Sequence, residues 1–193
     1  MSLADAKTHM RQAALARRDA LARTQGPHAA QALAEKVLMA LSGATQGKTI
    51  AGYWPLGSEI DIRPTLEALI GAGARAVLPV AMKLGDALIF RRWSPGQAME
   101  DGAFGTSHPT PSAETLTPDV ILAPLLAFDI AGGRLGYGAG YYDRTLHDLR
   151  TRRRIVYWGV AFDEQQVPAV PMGPTDAKLD GIITDRRIIT VEI

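Results

Sequence analysis

Two apolar runs, each leading through a turn into a helical pattern and on to another apolar run, constrain this chain more than any other feature. Thr49–Trp54 reads as a buried strand, with a turn at Pro55–Gly57, a short helix near Ile62–Ile70 and a second run at Ala76–Val80. The pattern recurs with a strand at Asp119–Pro124, a helix at Tyr141–Leu149 and a strand at Ile155–Phe162 rich in β-branched and aromatic residues. A strand, a helix and a parallel strand make a right-handed crossover unit. Two such units predict an α/β domain with a mostly parallel sheet. Ala87–Trp93 alternates weakly and adds a strand, and Gly181–Thr184 with Ile188–Ile193 supplies one or two more.

The first 48 residues follow a different period. Leu3, Ala6, Met10, Ala13, Ala14, Leu15 and Leu21 suit a helix over 3–23. A second helix is expected from Pro27 through Leu33, Val37, Leu38 and Leu41, stopping at Gly43. With Thr24, Gln25 and Gly26 as a link, the two form a predicted helical hairpin. Ser94–Pro118, rich in Gly, Pro, Ser and Thr, is expected to be a long loop, and loops of that length commonly bind or cover a ligand.

The chain of 193 residues fits one domain, 1–193, and its 47% hydrophobic content supplies a core. Its formal charge of +1 lacks the cationic excess that a nucleic-acid binder needs. No Cys is present, which excludes disulfides, thiolate metal sites and thiol nucleophiles. No apolar run approaches a membrane span, and no secretory apolar stretch opens the sequence.

Ligands of parallel sheets bind beyond the carboxyl ends of the strands, which directs attention to Pro55–Asp61 and Phe128–Gly140. The second stretch continues as Gly132-Gly133-Arg134-Leu135-Gly136-Tyr137-Gly138-Ala139-Gly140-Tyr141-Tyr142-Asp143-Arg144. Five glycines in nine residues free backbone N–H groups to face an anion, and the helix that follows aims its positive end at the same place. Phosphate is the natural guest. The spacing is neither the dinucleotide fingerprint nor a P-loop. Gly43-Ala44-Thr45-Gln46-Gly47-Lys48-Thr49 is one residue short of a P-loop and precedes a strand, so it reads as a helix stop and turn.

Asp143 at the helix start either serves magnesium beside bound phosphates or meets the helix dipole; Asp176 and Asp180 either share that metal or act as turn residues. Lys7 and Arg11 are four apart and share a helix face that, with Arg17 and Arg18, is otherwise a solvated basic surface. Glu59 either binds a substrate amine or is solvated. His9, His28, His108 and His147 show no ligand spacing, and no nucleophile elbow is present.

These residues resemble the 5-formyltetrahydrofolate cyclo-ligase family. The likeness rests on Phe128-Asp129 with Gly133–Arg144, on Lys7-x-x-x-Arg11, on the Tyr53–Asp61 loop, and on Ala161–Gln165 with Pro171, Asp176 and Asp180. Ile62, Ala139 and Gly105-Thr106-Ser107-His108-Pro109 depart from the family pattern, which usually has Thr, a Gly or Lys, and a Glu/Gln before the proline there. The resemblance implies a three-layer α/β/α fold similar to that of sugar-phosphate isomerases and CoA transferases. It implies an ATP- and magnesium-dependent ligase that converts 5-formyltetrahydrofolate to 5,10-methenyltetrahydrofolate with release of ADP and phosphate. By the same resemblance Lys7, Arg11 and the Arg134–Tyr142 backbone (Arg134, Leu135, Gly136, Tyr137, Gly138, Ala139, Gly140, Tyr141, Tyr142) hold ATP. Asp143 and Asp176 hold Mg2+; Trp54, Glu59 and the Tyr137–Tyr141 segment meet the folate; and Arg134 and Tyr141 act in catalysis. The expectation is a cytoplasmic monomer working on small molecules, without nucleic-acid or membrane partners.

Overall fold

The computed structural model describes residues 2–192, leaving the side chain of Phe104 aside. A long helix α1 (Leu3–Ala40) leads into strand β1 (Thr49–Ala51), helix α2 (Arg63–Gly71), and strands β2 (Arg75–Val80) and β3 (Ile89–Arg92). A small hairpin of β4 (Met99–Asp101) and β5 (Ser107–Pro109) follows, then β6 (Val120–Pro124) and a two-residue ribbon of β7 (Ala127–Phe128) and β8 (Arg134–Leu135). Helix α3 (Tyr141–Arg150), β9 (Val156–Ala161), β10 (Gly181–Thr184) and β11 (Ile188–Thr190) complete the order. Ile193, the last residue of the expected terminal strand, lies outside the described residues.

The main sheet has seven strands in the order β11-β10-β9-β6-β1-β2-β3. Its five inner strands are parallel, and β3 and β11 close the edges antiparallel. Because strand side chains alternate, each inner strand feeds two cores. Ile50, Leu78, Leu122 and Trp158 face α1 and α2, which bring Leu33, Val37, Leu66 and Leu69. Ala51, Val77, Ile121 and Tyr157 face the other way, against Leu146 of α3. This is the expected three-layer α/β/α arrangement, and both crossover units stand where the apolar runs put them.

The helical hairpin does not form. Residues 3–40 are one helix of 38 residues that passes straight through Gly26 and Pro27. An interior proline removes one hydrogen bond and costs about 3 kcal/mol in an isolated helix. Here the Thr24 hydroxyl donates to the carbonyls of Ala20 and Leu21, at 3.2 Å each, just before the proline. Burial of Ala29, Leu33 and Val37 beyond it then outweighs the loss. The C-terminal half of α1 thus lies on the sheet, while its N-terminal half, with buried Ala14, projects over Leu126, Ala127 and Leu135.

Ser94–Pro118 is not a featureless loop either. The β4–β5 hairpin pairs Glu100 with His108, and Arg91 of β3 holds it through Nη1 to Glu100 Oε1 (2.9 Å) and the Pro109 carbonyl (2.8 Å). Three-residue strands interrupted by Gly and Pro carry too little periodicity to show in the sequence. Backbone bonds from Arg92 N–H to the Glu114 carbonyl (2.7 Å) and from Leu116 N–H to the Phe90 carbonyl (2.9 Å) tie the rest of the segment to β3.

Candidate functional site

A cavity of about 1340 Å³ opens at the carboxyl edge of the sheet. Trp54 after β1, Pro79 within β2 and Pro124 at the end of β6 reach its wall, and the N-terminal part of α1 and the glycine-rich segment close it. Gly43–Thr49 lies at the opposite edge, before β1, as the turn its sequence suggests.

The glycines divide into two groups. Asp129, 6% exposed, accepts from the Ala131 and Gly133 N–H groups at Oδ1 (3.0 and 2.9 Å) and from the Val170 N–H at Oδ2 (2.7 Å). A Cβ on Gly133 would lie 2.4 Å from that carboxylate. Gly132 and Gly133 therefore build a closed turn and face no ligand. Gly136, Gly138 and Gly140 border the cavity instead. Gly138 and Gly140 take left-handed φ values of 101° and 68°, so the strained positions fall on the glycines either side of Ala139. Gly140 caps α3 with no side-chain acceptor, leaving the first-turn amides of that helix directed at the cavity mouth.

Lys7 and Arg11 reach this segment from α1. Arg11 Nε donates to the Gly136 carbonyl (2.9 Å), and its guanidinium fills the space where a Gly138 Cβ would stand. Lys7 Nζ pairs with Asp176 Oδ2. Burial pulls the Asp176 carboxyl upward, but the Gly173 N–H (2.5 Å) and the Lys7 ammonium hold it below its ordinary range. Arg134 is nearly buried, lies over the rings of Tyr142 and Tyr157 at 5.4 and 5.7 Å, and reaches Asp143 at 3.3 Å. Asp143 Oδ1 also accepts from the Ala177 N–H (3.0 Å), which joins the start of α3 to the 174–177 turn. Arg134 Nε is buried without a partner.

On the other wall, the Glu59 side chain is 4% exposed and accepts from the Leu56 N–H (2.9 Å). Burial pushes its carboxyl up to about 7, against the pull of that N–H, of Arg18 and of the Tyr137 hydroxyl. Arg63 lies 5.2 Å over the ring of Trp54 and is held there by a two-pronged pair with Asp61, both contacts at 2.8 Å. Arg144 stands 5.3 Å over the Tyr141 ring.

Lys7, Arg11, Trp54, Glu59, residues 134–143 and Asp176 thus all border one cavity. Asp180 is elsewhere: it accepts from the Tyr157 N–H (2.7 Å) and Arg150 (3.0 Å) as a structural residue. His108 is buried against Arg91, while Thr106 and Ser107 of the same departing motif do border the cavity. Arg17 stays on the surface, but Arg18, read with it as a solvated basic face, is 1% exposed. The signal was present, since positions 7, 11, 14 and 18 lie on one stripe of a 3.6-residue helix and position 17 does not. Asp129 was also missed as the organiser of the turn.

Does this donor set suit a nucleotide triphosphate and its metal? Two features favour phosphate: glycines whose Cβ space the cations fill, and a helix start. No group of three or more potential metal ligands occurs among the described residues. Magnesium needs only one or two carboxylates when phosphate and water complete its octahedron, and Asp143 and Asp176 supply that number. The residues fit an ion shared with phosphate, not a protein-only cage.

Comparison with known proteins identifies the family. Residues 4–185 match the 5-formyltetrahydrofolate cyclo-ligase family. The chain is 37% identical over 151 residues to a 5-formyltetrahydrofolate cyclo-ligase of Mycolicibacterium smegmatis, covering 73% of this chain and 75% of that one. It is 30% identical over 177 residues to the Escherichia coli K12 protein of the same name, covering 89% and 96%. Among solved structures, a 5,10-methenyltetrahydrofolate synthetase from Mycoplasma pneumoniae superposes with a TM-score of 0.73 at 29% identity, over 93% of this chain and 98% of that one.

Proposed function

Because the chain belongs to the 5-formyltetrahydrofolate cyclo-ligase family and is an enzyme of it, we propose that it uses ATP and Mg2+ to convert 5-formyltetrahydrofolate to 5,10-methenyltetrahydrofolate. The formyl oxygen attacks the γ-phosphorus and ADP leaves. The neighbouring aryl amine then attacks the activated carbon, the ring closes with loss of the amine proton, and phosphate departs with the former formyl oxygen.

Phosphoryl transfer asks chiefly for positioning and charge neutralisation. Lys7, Arg11 and the backbone of residues 134–142 hold the triphosphate, and the Arg134 guanidinium beside Asp143 supplies positive charge as negative charge builds. Asp143 and Asp176 hold the metal, which when bound neutralises phosphate charge. Asp176 exchanges its Lys7 partner for that role, and the released ammonium turns to phosphate. Trp54 supplies an apolar face for the pterin and Glu59 accepts from its ring donors. Tyr141, together with the Tyr137–Gly140 backbone, borders the formyl group and keeps water from the activated carbon.

The observation that carries this reading is the convergence in one cavity of two α1 cations, an open glycine segment, two carboxylates and a buried Glu59 on the opposite wall. Incubation of the purified protein with 5-formyltetrahydrofolate, ATP and magnesium should generate methenyltetrahydrofolate absorbance, with one ADP released per product. Folded protein that gives neither refutes it. The reading includes action as a single-domain cytoplasmic monomer, checked by light scattering on the eluting protein and by fractionation. No described helix is long and apolar enough to cross a membrane.

A further inference from the structure

Arg18 is unlike the other cations of α1. Lys7 and Arg11 border the cavity; Arg18 does not, and stands behind its wall at 1% exposure. A guanidinium so placed is costly unless its five N–H donors find partners. Arg18 finds three, on three separate segments. Nε donates to Ser58 Oγ (3.1 Å) and Nη1 to the Leu125 carbonyl just past β6 (3.4 Å). Nη2 donates to the Tyr137 hydroxyl, and the guanidinium carbon lies 5.3 Å over the Tyr137 ring. Nη1 is also 3.7 Å from Glu59 Oε1. Ser58 in turn donates to Asp19, so two consecutive residues of α1 grip the 55–61 loop.

The two segments joined this way are the ones that need fixing. Tyr137 sits at the tip of the open glycine segment and is 48% exposed; its hydroxyl meets Glu59 as well as Arg18, so the guanidinium is what holds that contact to α1. Glu59 lies on a loop entered by a glycine with φ of 58°. A planar fork bonded to both removes their freedom to move independently, which a point charge on a flexible stem cannot do as well.

We propose that Arg18 is a positioning residue that locks Tyr137 of the glycine segment to Glu59 of the 55–61 loop, so that the nucleotide wall and the folate wall of the cavity are set as one unit. The idea rests on the reading that both substrates share this cavity. Its consequence is energetic coupling: ordering either wall by its ligand orders the other, and by linkage the effect is reciprocal.

The test is calorimetric titration of 5-formyltetrahydrofolate into the protein alone and into protein saturated with magnesium and a non-hydrolysable ATP analogue. Coupling of fivefold or more is expected in the native chain. In Arg18→Met each ligand still binds singly, but the coupling falls to within twofold of none. Arg18→Lys restores the charge without the fork and recovers less than half of the coupling on a logarithmic scale. A second readout needs no ligand. The titratable groups facing Glu59 are Arg18 from α1, Tyr53 beyond β1, Tyr137 and Tyr142 of α3. The carboxyl carbon of Glu59, followed by NMR in glutamate-labelled protein, should titrate at higher pH in Arg18→Met and return toward the native midpoint in Arg18→Lys.

A folded Arg18→Met protein with native coupling and a native Glu59 midpoint overturns the proposal. If that variant does not fold, Tyr137→Phe carries the test: it keeps the buried charge, removes the hydroxyl that meets both Arg18 and Glu59, and should lose coupling, and coupling retained there is equally fatal. Independent binding of both ligands to the native protein ends the proposal and leaves the functional reading standing. Binding of neither ligand ends both.

Discussion

Residues 129–135 and 136–140 are neighbours, and both are built on glycine, yet they do opposite things with the freedom it gives. In the first stretch the backbone closes on a side chain of its own: the Ala131 and Gly133 N–H groups end on the Asp129 carboxylate, joined by the Val170 N–H. In the second the chain turns outward, its left-handed positions at 138 and 140 are bordered by the side chains of Arg11 and Arg144, and Gly140 opens α3 without a side-chain cap. The lesson is that glycine content marks backbone freedom, and only the partner of each N–H tells whether that freedom builds a turn or a binding surface.

The same contrast appears in the two buried carboxylates that flank these stretches. Asp129 belongs to the closed half and its hydrogen bonds are all internal. Replacing it with Ala should leave two N–H groups of that turn and the Val170 N–H without their acceptor and cost about 3–5 kcal/mol, read as a shift in the denaturation midpoint. A loss below about 1 kcal/mol would mean that the turn stands without its carboxylate, and the division of the glycine segment would have no physical basis.

Glu59 faces the open half and receives a single backbone N–H, so burial dominates and its carboxyl rises from 4.5 to about 7. The folded state therefore holds a proton between those values that the unfolded chain has released. Stability falls as pH rises through that window and is level above it. Glu59→Gln has no such proton, so its stability relative to the native chain should improve as pH rises from 4.5 to about 7, by at most about 3 kcal/mol. Thermal midpoints that fail to diverge in that direction would place Glu59 with Asp129 among the satisfied structural carboxylates. Folate binding should run oppositely, strengthening as the native carboxylate ionises and showing no such rise in the variant.

Asp143→Ala should lower turnover at limiting magnesium by about 100-fold, near 2.7 kcal/mol, while stability changes by about 1 kcal/mol because the Ala177 N–H and Arg134 can turn to water. Native turnover at limiting magnesium contradicts the metal role. An equal loss in stability would move Asp143 to the closed half of the comparison.

How much of this was legible in the sequence follows from the same physics. Parallel strands buried on both faces read as apolar runs, so β1, β2, β6 and β9 stand almost where their residues suggest. The glycine segment was visible as a unit because its residues are contiguous. Its division was not, because the partner of Gly133 is a carboxylate and the partner of Gly138 is a side chain 127 positions away on α1 (138 − 11). Local rules failed at Pro27, where burial of residues on either side outweighs a missing hydrogen bond, and at β4–β5, held by one arginine of another strand. Arg18 was misread because a basic residue in an Ala-rich helix is ordinarily solvated; only its register with Lys7 and Arg11 gave it away.

The smallest effect is the most discriminating, and it sets Gly138→Ala beside Gly133→Ala. At 133 an added methyl meets a carboxylate oxygen at 2.4 Å inside a packed turn, and neither partner can withdraw without breaking other bonds. At 138 it meets the Arg11 guanidinium at 3.1 Å, the far end of a flexible side chain, and its main cost is a left-handed φ of 101°. That conformation costs about 1–2 kcal/mol in a residue bearing a Cβ. Gly138→Ala should therefore lower stability by about 1 kcal/mol, while ATP affinity falls several-fold because Arg11 and the neighbouring amides no longer stand as they do. Binding of 5-formyltetrahydrofolate alone should weaken less than ATP binding, since Glu59 and Trp54 are untouched. Gly133→Ala should show the reverse ratio, with the larger loss in stability and a loss of ATP affinity no greater than partial unfolding explains. If both variants lose stability and nucleotide binding in the same proportion, the segment is one cooperative loop and the distinction between its closed and open halves fails.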